Sequence, residues 1–398
     1  MQHKLTLKTL KAWYFLMAVL MFISLKSQAQ KDFWTLQQST GASITARSGA
    51  VEFTIGNKAY IGTGSTNSGV TKDFWEFDAT TGTWSQKADF GGSAREYAAA
   101  FSIGTKGYVG TGLSAGGFTT QRDFWEYDPS LNVWVQKADY GNIPRFGAVG
   151  FSIKGKGYIA TGYDWSVIKN DCYEYDPSTD KWTFKTLAIP ARFNAACFTI
   201  NDKAYIGTGA IAFRPEGGYS RDFWEYDPAN NKSTQIADFP GNEVVMAAAF
   251  SLGGRGYVGT GLPLGAGFFQ YDPILNRWSP KANFPGNNRN AAIGFSIGNN
   301  GYLGLGKMGG PLNDIWKYQI EFPDSLKALY VGRNFVHLDW KNSNSTSGAT
   351  FYDVFVDGIK KYSTAESAIT ADGLLPNTIY TFTVAGRDAT GMFLFQAM

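Results

Sequence analysis

AYIGTG at residues 59–64 recurs along the chain as GYVGTG (107–112), GYIATG (157–162), AYIGTG (204–209), GYVGTG (256–261) and GYLGLG (301–306). The tyrosines of the six copies, Tyr60, Tyr108, Tyr158, Tyr205, Tyr257 and Tyr302, stand 45 to 52 residues apart. Self-similarity at that period marks a repeat architecture, in which each copy is one supersecondary unit that buries its apolar faces against its neighbours.

Working outward, a second motif follows each hexapeptide: DFWEFD (73–78), DFWEYD (123–128), DCYEYD (171–176), DFWEYD (222–227), GFFQYD (267–272) and DIWKYQ (314–319). Six residues past the closing Asp stand Trp84, Trp134, Trp182 and Trp278, with Ser233 in the fourth copy. Upstream of each hexapeptide lies an apolar run ending in Phe53, Phe101, Phe151, Phe198, Phe250 or Phe295. Six residues before that Phe sits Arg47, Arg95, Arg145, Arg192 or Arg289, with Val244 in the fifth copy. Each unit reads as four short strands: a (Arg to Phe), b (the hexapeptide), c (the Asp-to-Asp motif) and d (around the Trp). Gly-Asn-Lys, Gly-Thr-Lys and Asn-Asp-Lys turns join a to b, and Asp-Pro-led turns join c to d. Four-stranded units with aromatic and glycine signatures at this spacing predict propeller blades. The sixth copy ends at Tyr318 without a d strand, while Asp32 to Leu36 is a d strand without a unit. Pairing the two predicts a ring of six blades without an open edge.

These residues resemble the kelch family: Arg at the head of strand a, Tyr before glycines in strand b, Tyr-Asp-Pro closing strand c, Trp in strand d. The resemblance spans roughly residues 30–320 and implies an all-β, six-bladed kelch-type propeller. Kelch repeats usually carry adjacent glycines, where this chain has Gly-Thr-Gly. The period stops after Gln319. Ile320 to Asp324 reads as a linker, and residues 325–398 carry alternating strand patterns: Val336 to Trp340, Phe351 to Val356 with a turn at Asp357-Gly358, and Thr381 to Ala385. With Leu375-Pro376-Asn377-Thr378-Ile379-Tyr380 as a tyrosine corner, this part is similar to fibronectin type III β-sandwiches.

Residues 1–29 read as a cleaved export signal. Lys4, Lys8 and Lys11 precede an apolar stretch from Ala12 to Ser24, too short to span a bilayer, and Ser27 and Ala29 are the small residues of a cleavage site. With no later apolar run long enough for a membrane span, the expected location is periplasmic, cell-surface or secreted. The style of the signal and the module pairing point to a bacterial source. Losing that segment removes Lys4, Lys8, Lys11 and Lys26 and no acid, which turns the formal charge of +3 into −1. The basicity of the whole chain therefore predicts no nucleic-acid partner. Cys172 and Cys197 fall inside strand patterns and read as buried free thiols; export leaves a disulfide between them open.

Histidine decides much of the chemistry. His3 lies in the signal and His337 in the second domain, so the propeller has none. A Ser-His-Asp triad and a His-ligated zinc or copper centre are excluded there. Galactose oxidase-like kelch enzymes need such ligands, so copper oxidase chemistry is excluded, and no metal or other cofactor is expected.

Residues that repeat in nearly every blade read as structural. The arginines, with Glu76, Glu126, Glu174 and Glu225, are expected to bond between blades. Lys58, Lys106, Lys156, Lys203 and Arg255 at the a–b turns are expected to be solvated, with an anion-attracting ring as the sharper alternative. Aperiodic residues say more. Trp165 is the one propeller tryptophan outside the repeat register. It lies in a b–c loop beside Tyr163 and Asp164, and the longest b–c loop, 210–221, carries Phe213, Arg214, Glu216, Tyr219 and Arg221. With Phe118, these residues are expected around one funnel at the channel mouth, where aromatic faces with charged groups suit a sugar or an acidic ligand.

Two functions follow. One is a monomeric binding or scaffold module presenting its loop face to a carbohydrate or an extracellular protein. The other is a metal-independent sugar enzyme. Exported kelch propellers that act as N-acetylneuraminate mutarotases resemble this chain, and that resemblance implies Glu216 as the proton-transfer group with Arg214 or Arg221 holding the substrate carboxylate.

Overall fold

The computed structural model describes residues 32–37, 44–114, 119–141, 143–212, 218–263, 265, 267–320, 323–331, 334–342, 351–357, 359–366, 368–375, 380, 382–387 and 393–397. Among them there is no helix. Contacts gather residues 32–320 into one compact unit and place 321–398 in another.

The first unit is a six-bladed propeller. Blade one consists of strands a (Val51–Ile55), b (Lys58–Gly62), c (Phe74–Asp78) and d (Thr83–Lys87), paired in that order. Four further blades repeat the plan, with strand a at Ala99–Ile103, Val149–Ile153, Ala196–Ile200 and Ala248–Leu252. In the sixth, Ile293–Ile297, Asn300–Gly304 and Ile315–Ile320 are joined by Asp32–Leu36 as the outer strand. Trp34 stands opposite Tyr318 there, as Trp134 stands opposite Tyr127 and Trp278 opposite Tyr271.

Strand b ends two residues earlier than the hexapeptide suggests. Thr63, Thr111, Thr161, Thr208, Thr260 and Leu305 all adopt positive φ, between 53° and 64°. That backbone region is costly for a residue with a Cβ. At Thr111, Thr208 and Thr260 the hydroxyl accepts the N–H that opens strand a (Ala99, Ala196, Ala248). This bond is unavailable to the glycine of ordinary kelch repeats and offsets part of the conformational cost. The following glycine donates its N–H to the next blade: Gly64 to the Arg95 carbonyl, and so on round to Gly306 and Arg47.

The blades are fastened mainly by tryptophan and backbone. Trp134, Trp182 and Trp278 donate Nε1 to the carbonyls of Ala88, Ala138 and Ala237 on the preceding blade. The same alanines return their N–H to Asn132, Asp180 and Asn276. In the ring-closing blade Trp34 bonds the Ala282 carbonyl, and Asp32 accepts both the Ala282 N–H and the Tyr318 hydroxyl.

The repeated arginines work within a blade, correcting the expectation that they bridge blades. Arg47, Arg95, Arg145, Arg192 and Arg289 are fully buried and grip Asp73, Asp123, Asp171, Asp222 and Asp314 ahead of strand c of the same blade. Each also donates to the carbonyl that ends the hexapeptide strand, such as Thr63 at 3.0 Å. Desolvation raises the Asp73 carboxyl, but bonds from Arg47, Thr71 and Trp75 outweigh it and hold it at about 2. The repeated glutamates also stay within a blade, accepting from Tyr60, Tyr108, Tyr158 and Tyr205. The turn cations do not form a free ring either: Lys58 meets Glu76, Lys106 meets Asp128, Lys156 meets Asp176, Lys203 meets Glu225 and Arg255 meets Asp272. Both cysteines are free thiols, and burial pushes Cys197 up to about 12.

In the second unit Pro323–Val331, Val336–Asn342 and Ala368–Ala371 form one sheet. Ile359–Thr364, Phe351–Val356, Phe382–Arg387 and Phe393–Ala397 form another. Leu338 and Trp340 of the first share one buried cluster with Tyr352, Val354 and Val384 of the second. The expected linker from Ile320 to Asp324 is mostly strand, since one strand ends at Ile320 and the next begins at Pro323.

Candidate functional site: the funnel at the loop face

The residue two past each arginine position adopts positive φ: Gly49, Tyr97, Gly147, Asn194, Met246 and Ala291. Their backbones form a closed hoop at the channel mouth. Tyr97 N–H donates to Gly49 O, Gly147 to Tyr97, Asn194 to Gly147, Met246 to Asn194, Ala291 to Met246, and Gly49 back to Ala291, at 2.8–3.1 Å. Two of the six positions are glycines over which a neighbour's side chain lies. A Cβ on Gly49 would sit 3.1 Å from the Tyr97 ring, and one on Gly147 would sit 2.6 Å from the Asn194 amide oxygen.

Above the hoop, the residue after each arginine position bridges to the residue after each hexapeptide. The pairs are Ser48–Ser65, Glu96–Leu113, Phe146–Tyr163, Phe193–Ala210, Val245–Leu262 and Asn290–Lys307. This rim has two halves. On one side Leu113, Phe146, Tyr163, Phe193, Ala210 and Val245 form a single apolar cluster, joined by Tyr97, Tyr219, Met246 and Leu262. Trp165 extends it, 4.9 Å from Phe146 and 5.7 Å from Tyr163, and remains 38% exposed with φ at +71°. On the other side stand Ser48, Ser65, Glu96, Asn290 and Lys307. Burial raises the Glu96 carboxyl while the nearby Lys307 ammonium lowers it, with the net shift upward. Desolvation, then the Glu96 charge, pushes the Tyr97 phenol well above its usual range. Asn290 is buried; its Nδ2 donates to the Lys307 carbonyl at 3.4 Å, and its Oδ1 has no partner.

The structure thus gathers Tyr163, Trp165 and Tyr219 into the apolar half. Asp164 is committed elsewhere. Its carboxylate binds Lys169 at 2.7 Å and accepts from the Ser166 hydroxyl and the N–H groups of Ser166 and Val167. Burial opposes its charge, but these bonds prevail and hold it far below the carboxylate range. It shapes the loop that presents Trp165 and is no free acid or base. Arg221 pairs with Asp238 at 3.6 Å, both exposed, repeating the Arg122–Asp139 pair of blade two, so it is a periodic pair and not a funnel group. Phe118, Phe213, Arg214 and Glu216 lie outside the described residues. Phe146, Phe193, Val245, Asn290, Lys307 and Glu96 were missed from the sequence. They occupy fixed repeat positions, and only their change of character from blade to blade signals a site.

Fold and rim define a class: a six-bladed β-propeller whose loop face is half apolar and half polar. Residues 21–206 match the family model of the KLHDC2/KLHL20/DRC7 kelch-repeats domain. The chain is similar in fold to the solved structure of YjhT, with a TM-score of 0.60 at 15% identity, over 69% of this chain and 95% of that one. No curated protein sequence matches the chain.

Proposed function

We propose that this protein is an exported binding module whose funnel takes a carbohydrate, with the second unit a fibronectin type III-like spacer. The observation that carries the reading is the split rim. An aromatic wall of Phe146, Tyr163 and Trp165 faces Ser48, Ser65, Glu96, Asn290 and Lys307. A sugar ring has an apolar face and a polar edge, and such a recess matches both. The Glu96 carboxyl, whose affinity for a proton burial raises, offers a polar partner to hydroxyls on that side of the rim. The signal-like residues 1–29 support export. Among the described residues, no helix is long and apolar enough to cross a membrane. The three- and four-stranded sheets, the buried Trp340 and the Leu375 N–H donated to the Tyr380 hydroxyl support the fibronectin-like reading.

The test is a thermal-shift screen of the full chain against common sugars, N-acetylneuraminate included. Ligand at a hundred times its Kd adds about 2.7 kcal/mol of stability. The reading predicts a shift that Trp165→Ala and Asn290→Ala each reduce. No shift with any sugar transfers the funnel to a protein ligand.

A second reading, sugar anomer interconversion, is favoured by Glu96. A carboxyl with raised affinity for its proton beside an ammonium suits acid–base exchange at a ring oxygen. Anomer exchange followed by NMR, lost in Glu96→Gln while binding persists, distinguishes it from binding alone.

A further inference from the structure

Below the hoop the channel is lined by strands a, and alternation turns every second side chain toward the axis. The second position of each strand carries Glu52, Ala100, Gly150, Cys197, Ala249 and Gly294; the fourth carries Thr54, Ser102, Ser152, Thr199, Ser251 and Ser296. These residues line one cavity of about 230 Å³. One level therefore holds a single carboxylate among five small side chains, and the next is a complete ring of hydroxyls. Glycine at 150 and 294 reflects close packing, since a Cβ would meet the carbonyls of Ala100 at 2.6 Å and Ala249 at 2.8 Å.

We propose that this cavity is a binding site for a small monovalent cation, an alkali ion or an ammonium group, held between the Glu52 carboxylate and the hydroxyl ring. Among the described residues, Glu52 pairs with no lysine or arginine, whereas the repeated carboxylates on strand c do. A half-buried carboxylate without a counter-ion gains from a cation or a proton. The hydroxyls supply neutral oxygen ligands. Ser251 donates to the Thr199 carbonyl at 2.6 Å, leaving its lone pairs for the cavity, and the hydroxyls of Thr54, Ser102, Ser152, Thr199 and Ser296 make no hydrogen bond within the described protein. One charged ligand among neutral oxygens favours a monovalent ion, since tight calcium sites collect several carboxylates. No group of three histidine, cysteine or acidic side chains with metal-site spacing occurs among the described residues.

Burial drives the Glu52 carboxyl up to about 8, against a weaker lowering by its own backbone N–H. Proton and cation therefore compete, and binding strengthens as pH rises through that value. The experiment measures Tm of the full chain at pH 9 and pH 6 in sodium, potassium, ammonium and methylammonium chloride. N-methylglucamine chloride at equal ionic strength is the reference, its cation too bulky for the ring. The proposal predicts a rise of about 2 °C or more at pH 9 with at least one small cation, a smaller rise at pH 6, and no rise in Glu52→Gln. Preference for alkali ions over ammonium, or the reverse, identifies the source. Ser102→Ala with Ser152→Ala weakens the effect several-fold without removing the carboxylate. Equal Tm in every salt at pH 9, or a full rise in Glu52→Gln, overturns it.

Discussion

Blade five differs from its neighbours at three positions at once. Where blades one, two, four and six have a buried arginine, an aspartate and a tryptophan bonded to that aspartate, blade five has Val244, Gly267 and Phe269. Blade three keeps the ion pair and exchanges only the tryptophan, for Tyr173. In blades two, three and six the guanidinium lies over Phe90, Tyr140 or Phe284 at 4.8–4.9 Å; in blade five Val244 packs in the same cluster as Phe239. The charged set has been exchanged for an apolar one as a unit. A buried arginine without its aspartate is strongly unfavourable, whereas replacement of a whole pair by well-packed apolar groups is close to neutral. What survives in blade five is the backbone part: Gly209 N–H still bonds the Val244 carbonyl.

The largest effect should come from splitting the set. Arg192→Met leaves Asp222 without its cation and the Thr208 carbonyl without the guanidinium donor, and should cost about 3–5 kcal/mol by urea denaturation. Val244→Arg should be comparably harmful, and adding Gly267→Asp should recover most of the loss. If Val244→Arg alone is tolerated, pairing is not what keeps the three positions together.

Acid should expose the same difference more gently. The Asp73, Asp222 and Asp314 carboxyls are all held below their usual value. Desolvation works against this in each and is outweighed by bonds from arginine, hydroxyl or tryptophan donors. A carboxyl depressed by folding stabilises the native state above its unfolded pKa and loses that contribution as pH falls through the folded one. Stability should therefore drop from about pH 4 to about pH 2, by about 2 kcal/mol at Asp73. Asp73→Asn should lower stability at pH 7 and flatten that stretch of the urea midpoint against pH.

The smallest effect concerns blade four, where Ser233 replaces the inter-blade tryptophan and its hydroxyl takes the Ala188 N–H at 3.2 Å. Ser233→Ala should cost about 1 kcal/mol in a solvent-exposed setting. Trp278→Ala in the next blade should cost about 3–5 kcal/mol, because that ring is buried against Phe198, Phe223 and Phe239.

The blade count was legible because a blade is a local object. In blades one to five, four strands and three turns lie within one period, so each copy repeats the same solution. Which charged groups meet was less legible. Arg47 to Asp73 and Lys58 to Glu76 are close in sequence and close in space, yet periodicity alone does not separate pairing within a blade from pairing between blades. The funnel was only half legible. Trp165 stands out by breaking register, whereas Asp164 has the chemistry of a ligand group but is held by Lys169 across a turn, a pairing that residue type alone does not reveal. Phe146, Asn290, Lys307 and Glu52 sit in register, and reading them requires lining up one column of the repeat and noting which copy departs. Glu52 among Ala, Gly and Cys is such a departure.

The hoop of Gly49, Tyr97, Gly147, Asn194, Met246 and Ala291 has a consequence for recognition. Its six amides run head to tail in a circle, so their in-plane dipoles largely cancel and every N–H already has an acceptor. The floor of the recess offers an incoming molecule no backbone donor and little net field. Discrimination falls to the rim above and to what projects from the circle itself, three sizeable groups on a frame whose remaining members carry a methyl or nothing. Exchanging Tyr97, Asn194 or Met246 would re-address the recess while leaving the circle that supports it intact.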